Sequence, residues 1–211
     1  QQASEVVQII RSAHAGEALA VAGDVALASD VLRVFDQTES ELGGIDVLVN
    51  NAGIWPTVQV KDMSEADWDQ TLAVNLRGPF LTCREAVRRW LAAGRSGRIV
   101  NVVSTAAFQG ATTGHAHYAA AKAGLVNFTV SLAREVARQN IYVNAVAPGM
   151  MRTDMARDAL RTKEEHYLQR IPLGRIGDPA EVANAVVFLA SERCSYITGA
   201  TLDASGGLLM R

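Results

Sequence analysis

The stretch Arg98-Ile99-Val100-Asn101-Val102-Val103-Ser104 is followed by a glycine- and threonine-containing loop. Next come His115-Ala116-His117-Tyr118-Ala119-Ala120-Ala121-Lys122 and a helical pattern reaching Arg138, then Ile141-Tyr142-Val143-Asn144-Ala145-Val146. An apolar run, a long helix and a second apolar run make a βαβ unit, which needs parallel strands and a right-handed crossover. Downstream, Pro148-Gly149 stops the second strand, two short helical segments occupy Thr153 to Gln169, and Asp178 caps a helix with Pro179 at its first position. That helix runs to Ser191, and Ala200 to Leu202 reads as a last strand. Upstream, Ser64 and Asp67 suggest a capping box on a helix reaching Ala93, with Gly94 as its stop. Ile45 to Val49 is nearly continuously apolar, the pattern of a strand buried on both faces. Ser29 or Asp30 caps a helix with Val31, Val34 and Phe35 on one face, ended by Gly43-Gly44 near Leu42. Ala18 to Val21 reads as a short strand, and the chain opens within a helical pattern carrying Val6, Val7, Ile9 and Ile10. Alternation of this kind predicts an α/β fold, a three-layer, doubly wound parallel sheet, with residues 1–211 as a single domain.

The composition narrows the function. The formal charge is −2 and no basic run offers a nucleic-acid surface. No segment approaches the ~18 consecutive apolar residues of a membrane span. The first ten residues are polar and mixed, without the pattern of a signal peptide. Cys83 and Cys194 form neither a redox pair nor a disulfide framework. A reducing cytoplasm is the expected setting. His115 and His117 stand two apart, so they do not share a helix face, and no acidic partner lies at ligand spacing; no metal is expected.

In a doubly wound sheet, ligands bind outside the carboxyl ends of the strands. Tyr118 and Lys122 are four apart on the long helix and share a face. An ammonium at about 4–5 Å attracts a phenolate by roughly 3–4 kcal/mol at an effective dielectric near 20, before desolvation losses. Such an attraction would lower the tyrosine's pKa toward the range of a useful acid–base catalyst. On its own, the pair reads equally as an exposed helical pair. Ser104 directly follows the strand Arg98 to Val103, where a hydroxyl can donate to a substrate oxygen; Thr105 could supply it instead. Asn50-Asn51-Ala52-Gly53 follows the earlier strand, either as an ordinary turn or as a close approach to a ligand. Pro79 stands four residues after Asn75 and denies its carbonyl a helical N–H, so a kink is expected there, purely structural or holding a water beside Lys122.

Asn50-Asn51-Ala52-Gly53, Asn75, Ser104, Tyr118-x-x-x-Lys122, Asn144-x-Val146-x-Pro148-Gly149 and Thr153 together resemble the short-chain dehydrogenase/reductase family, in its order and close to its spacing over the whole chain. Ala133-Arg134-Glu135-Val136-Ala137, Thr153-Asp154-Met155 and Ile197-Thr198-Gly199 leading to Gly206-Gly207 are most similar to its 3-oxoacyl-acyl-carrier-protein reductase type. These features recur in sugar, polyol and other secondary-alcohol dehydrogenases. A non-catalytic relative that senses dinucleotides or acts as a scaffold is the alternative from another class.

The resemblance implies an NAD(P)-dependent oxidoreductase of Rossmann-like fold moving hydride between NAD or NADP and a small-molecule carbonyl or alcohol. Tyr118 would be the general acid or base, Lys122 would lower its pKa and bond the nicotinamide ribose, Ser104 would orient the carbonyl, and Asn75 would complete a water relay. Asp24 and Val25 would meet the adenine, and Asn51, Ala52 and Gly53 the adenosine side. Pro148, Gly149 and Met151 would frame the nicotinamide, and Thr153 its carboxamide or the phosphates. The family's glycine-rich phosphate loop is not found in this sequence, and a preceding strand-helix-strand unit is expected upstream. That unit carries the residue that separates NAD from NADP. Met150, Met155, Tyr167 and Leu168 could build an apolar lid or pack as ordinary helix residues. The resemblance also implies a homotetramer or homodimer, with Phe80, Val87, Trp90 and Leu91 supplying apolar surface on the long helix, some of it belonging to the core.

Overall fold

The computed structural model describes residues 2–14, 16–111 and 113–210. Four strands, β1 (Val47–Asn50), β2 (Gly97–Val102), β3 (Ile141–Pro148) and β4 (Thr201–Ala204), lie in that order in one parallel sheet. Val47 stands beside Arg98, Gly97 beside Ile141, and Ala145 beside Thr201. The helices are α1 (Gln2–His14), α2 (Ala28–Leu42), α3 (Glu65–Leu72), α4 (Gly78–Ala92), α5 (Ala106–Gln109), α6 (Ala116–Val136), α7 (Arg157–Arg170) and α8 (Pro179–Ala190). Successive side chains of a strand face opposite layers. Ile99 packs with Phe35 of α2, Trp90 of α4 and Val136 of α6, whereas its neighbour Val100 packs with Val146 and Leu189 of α8. The result is the expected three-layer Rossmann-like α/β architecture.

Local chemistry sets the helix ends. Ser64 and Asp67 close a full capping box on α3, as do Asp178 and Glu181 on α8, where Pro179 takes the first position. Between α3 and α4 the helix continues through a π-helical turn, Ala73–Arg77, so the kink expected at Asn75 is a local widening of the helix rather than a break. The two short helical segments expected after Thr153 are a 3-10 turn, Asp154–Ala156, and α7, which is kinked at Lys163.

Three expectations need correction. The α2 cap is Leu27, with no side-chain cap bond; Asp30 instead accepts the backbone N–H of Asp24 at 2.8 Å and pairs with Arg33. Ala18 to Val21 forms no strand among the described residues. Arginine side chains meet the carbonyls around it, Arg11 donating to Ala18 and Arg33 to Ala22. The strand at 45–49 is not buried on both faces: Val47 and Val49 are 39% and 42% exposed, because β1 is the outer strand of the described sheet. Its apolar run gave no sign of which neighbours it would have.

Candidate active site

The carboxyl ends of β1, β2 and β3 open onto one cleft of about 760 Å³. Asn51 and Gly53 reach it from β1, Ser104 and Thr105 from β2, and Pro148 and Gly149 from β3. Tyr118 and Lys122 enter it from the first two turns of α6. The Lys122 ammonium is almost fully buried, donates to the carbonyl of Val102 at 2.8 Å and lies 5.8 Å from the centroid of the Tyr118 ring. The Ser104 hydroxyl lines the cleft beside Tyr118 and accepts the N–H of Ala106 at 3.2 Å. Thr105, the other hydroxyl considered, is buried, and its N–H is tied to the carbonyl of Pro148.

Asn75, fully buried in the π turn, uses its amide as a clamp on the loop after β1. It donates to the carbonyls of Ile54 and Thr71 at 3.0 Å each, and its oxygen accepts the N–H of Ile54 at 3.2 Å. A Cβ on Gly53 would lie 2.9 Å from that oxygen and 3.8 Å from the Lys122 nitrogen, so only glycine lets the loop pass between the two side chains. A Cβ on Gly149 would likewise meet the backbone of Ser205 at 2.9 Å. The same loop is fastened to the start of α6. Val58 donates to the carbonyl of Gly114 at 2.8 Å, and the His115 ring bonds the carbonyl of Pro56 and the Thr57 hydroxyl. Trp55 stacks on His115 with centroids 4.3 Å apart and meets Tyr118 edge-on at 6.4 Å.

Burial dominates the electrostatics. It pushes Tyr118 above the ordinary phenol pKa, with the Ser104 hydroxyl acting in the opposite direction. It also lowers Lys122 from its ordinary 10.5 to about 8. The expectation that Lys122 depresses the tyrosine therefore does not describe this state. The ammonium is turned to Val102, and the desolvation of a buried phenolate exceeds the remaining attraction.

Asn51, Gly53, Tyr118, Lys122, Pro148, Gly149, Met151 and Thr153 all line the cleft, together with Ser104 and Asn75. Asp24, Val25 and Ala52 do not. The Asp24 carboxylate accepts the N–H of Ala26 at 2.8 Å, and Val25 packs where a Cβ on Gly78 would stand. Of the four lid candidates, Met150, Met155 and Tyr167 face the cleft, while Leu168 packs with Leu160 and Ile176 beneath it. Sequence reasoning missed Trp55, Gln109, Arg170 and the α8 residues Val182 and Val186, which also line it. Trp55 carried a usable signal, being a large aromatic two residues beyond a strand-end glycine.

Comparisons with known proteins agree with this geometry. Residues 1–209 match the family described as Enoyl-(Acyl carrier protein) reductase. The chain is 41% identical over 208 residues to a 3-oxoacyl-acyl-carrier-protein reductase of Aquifex aeolicus, covering 99% of this chain and 83% of that protein. It is 43% identical over 206 residues to the enzyme of that name from Synechocystis, covering 97% and 81% of the two chains. A solved short-chain type dehydrogenase/reductase from Mycobacterium marinum superposes with a TM-score of 0.92 at 33% identity, over 98% of this chain and 81% of that one. This chain belongs to the short-chain dehydrogenase/reductase family and is an NAD(P)-dependent oxidoreductase.

Proposed function

We propose that the protein reduces the carbonyl of a 3-oxoacyl thioester, with Tyr118 as the proton donor. The observation that carries this reading is the convergence of the Tyr118 phenol and the Ser104 hydroxyl at the carboxyl end of β2, over a buried Lys122. The relatives named above supply the substrate class.

The cleft fits a nicotinamide dinucleotide. No carboxylate is among its described lining residues, and the Lys122 ammonium lies within it, a setting that suits a diphosphate-bearing ligand. Asn51, Gly53 and Thr153 would hold it, with Pro148, Gly149 and Met151 around the nicotinamide. When bound, the nicotinamide supplies the hydride in reduction and accepts it in oxidation.

The chain's own residues handle the oxygen and the proton. Ser104 donates a hydrogen bond to the carbonyl oxygen and fixes its direction. Tyr118, a phenol already protonated at neutral pH and held further in that form by burial, gives its proton to that oxygen as negative charge develops there. The Lys122 cation offsets the charge left on the phenolate. Asn75 holds the 51–55 loop against the reacting groups, and its carbonyl, which Pro79 cannot serve, is available to a water on the path that reprotonates Tyr118. The two cysteines are free and buried, in keeping with a cytoplasmic enzyme. No helix among the described residues is long and apolar enough to cross a membrane. The enzyme works as a homotetramer or homodimer joined through α4 and α6, where Phe80 and Leu91 stay exposed.

The test is Tyr118→Phe, assayed by NAD(P)H oxidation with a 3-oxoacyl thioester and by cofactor-binding fluorescence. Turnover should fall by about 10²–10⁴-fold, the range of general acid catalysis, with cofactor affinity nearly unchanged. Wild-type turnover in the variant would overturn the reading.

A further inference from the structure

The lid segment from Met150 to Ile171 carries five basic side chains, and three of them are neutralised locally. Arg152 pairs with Glu164 at 2.7 Å, Arg161 lies 3.5 Å from Asp158, and Arg157 pairs with Asp154. The remaining acid, Glu165, accepts a hydrogen bond from Gln169. Among the described residues, neither Lys163 nor Arg170 has a carboxylate within 4.0 Å. Arg170 is nevertheless part of the cleft lining, one helical turn beyond Tyr167, whose ring also lines it. Lys163 stands at the kink of α7 with non-helical backbone angles, so only Tyr167 and Arg170, three residues apart beyond that kink, share a helix face.

Arg170 thus stands exposed on a cleft wall made largely of methionine, tyrosine and valine, with no described carboxylate to meet it. A guanidinium is a planar fork whose natural partner is a phosphate or a carboxylate, and covering it without an anion is costly. We propose that Arg170 receives an anionic group carried by the carbonyl substrate. This rests on the reductase reading and narrows its substrate to one bearing a negative charge away from the reacting carbonyl. The charge has two chemical sources, the phosphate of a phosphopantetheine arm or the carboxylate of a free oxo acid.

Calorimetric titration with two matched pairs tests it: phosphopantetheine against pantetheine, and a 3-oxo acid against its methyl ester. The anionic member of one pair should bind about tenfold tighter than its neutral partner, the effect of one charge-assisted contact. Arg170→Gln should collapse that ratio and Arg170→Lys should keep part of it. A preference in the phosphate pair assigns the carrier arm, and one in the carboxylate pair assigns the free acid. Equal affinities in both pairs, no binding in either, or a ratio that survives Arg170→Gln overturns the subsite. Turnover of a neutral 3-oxoacyl thioester, measured alongside, separates the two ideas. Charge preference without turnover sinks only the reductase reading, and turnover without charge preference sinks only the subsite.

Discussion

Lys122 is a cation held where solvent barely reaches it, with one carbonyl as its hydrogen-bond partner. Its pKa of about 8 lies below its ordinary 10.5, so between those values the unfolded chain binds a proton that the folded chain has released. Stability therefore rises with pH across that window, and the whole cost of burying the charge is present below pH about 8. At neutral pH that cost is roughly 3 kcal/mol, less whatever the Val102 hydrogen bond returns. Lys122→Met should remove turnover yet raise the thermal midpoint at pH 7, and its advantage over the wild type should shrink as pH approaches 10. A lower midpoint at pH 7 would show that the Val102 bond outweighs the desolvation. The Tyr118–Lys122 pair was legible from its four-residue spacing, but the sign of the tyrosine's shift was not. Attraction across a helix face can be estimated from sequence, whereas burial depends on what the fold lays over the ring. The same limit hid Arg170, whose place in the cleft depends on where α7 comes to rest.

Periodicity and caps made most elements legible, and the polar connections between them were not. Asn50 read as the start of a turn because its neighbours are turn residues. In the fold it is the middle of a buried strut. Thr82 of α4 donates to Asn50 at 2.6 Å, Asn50 donates to Asn101 of β2 at 2.8 Å, and Asn101 donates to Thr129 of α6 at 2.9 Å. One chain of hydrogen bonds thus joins two helices and two strands directly beneath the cleft. Such a network is favourable only when each member is satisfied. Asn101→Leu keeps the volume but strips the strut of its centre, leaving Asn50 with Thr82 and Cys83, and Thr129 with the carbonyl of Leu125. The expected loss is about 2–3 kcal/mol, read as a lower urea midpoint. A loss under about 0.5 kcal/mol would mean that the flanking groups find other partners. The side chains of Thr71 on α3 and His117 on α6, fully buried and without hydrogen-bond partners among the described residues, mark another place where sequence pattern says nothing of polar pairing.

One surface favours association between whole molecules. There Phe80 of α4 meets Phe128 of α6 edge-on at 6.2 Å and stays 39% exposed. Val87 and Trp90 are the part of that apolar set that belongs to the core, buried where α4 packs on β1 and β2. An apolar patch on two adjacent helices supports a closed two-fold contact of defined size. Light scattering after size exclusion tests it. Phe80→Glu should convert a discrete dimer or tetramer to a smaller species at every concentration. If Phe80→Glu leaves the discrete mass unchanged, the contact lies elsewhere than on α4 and α6.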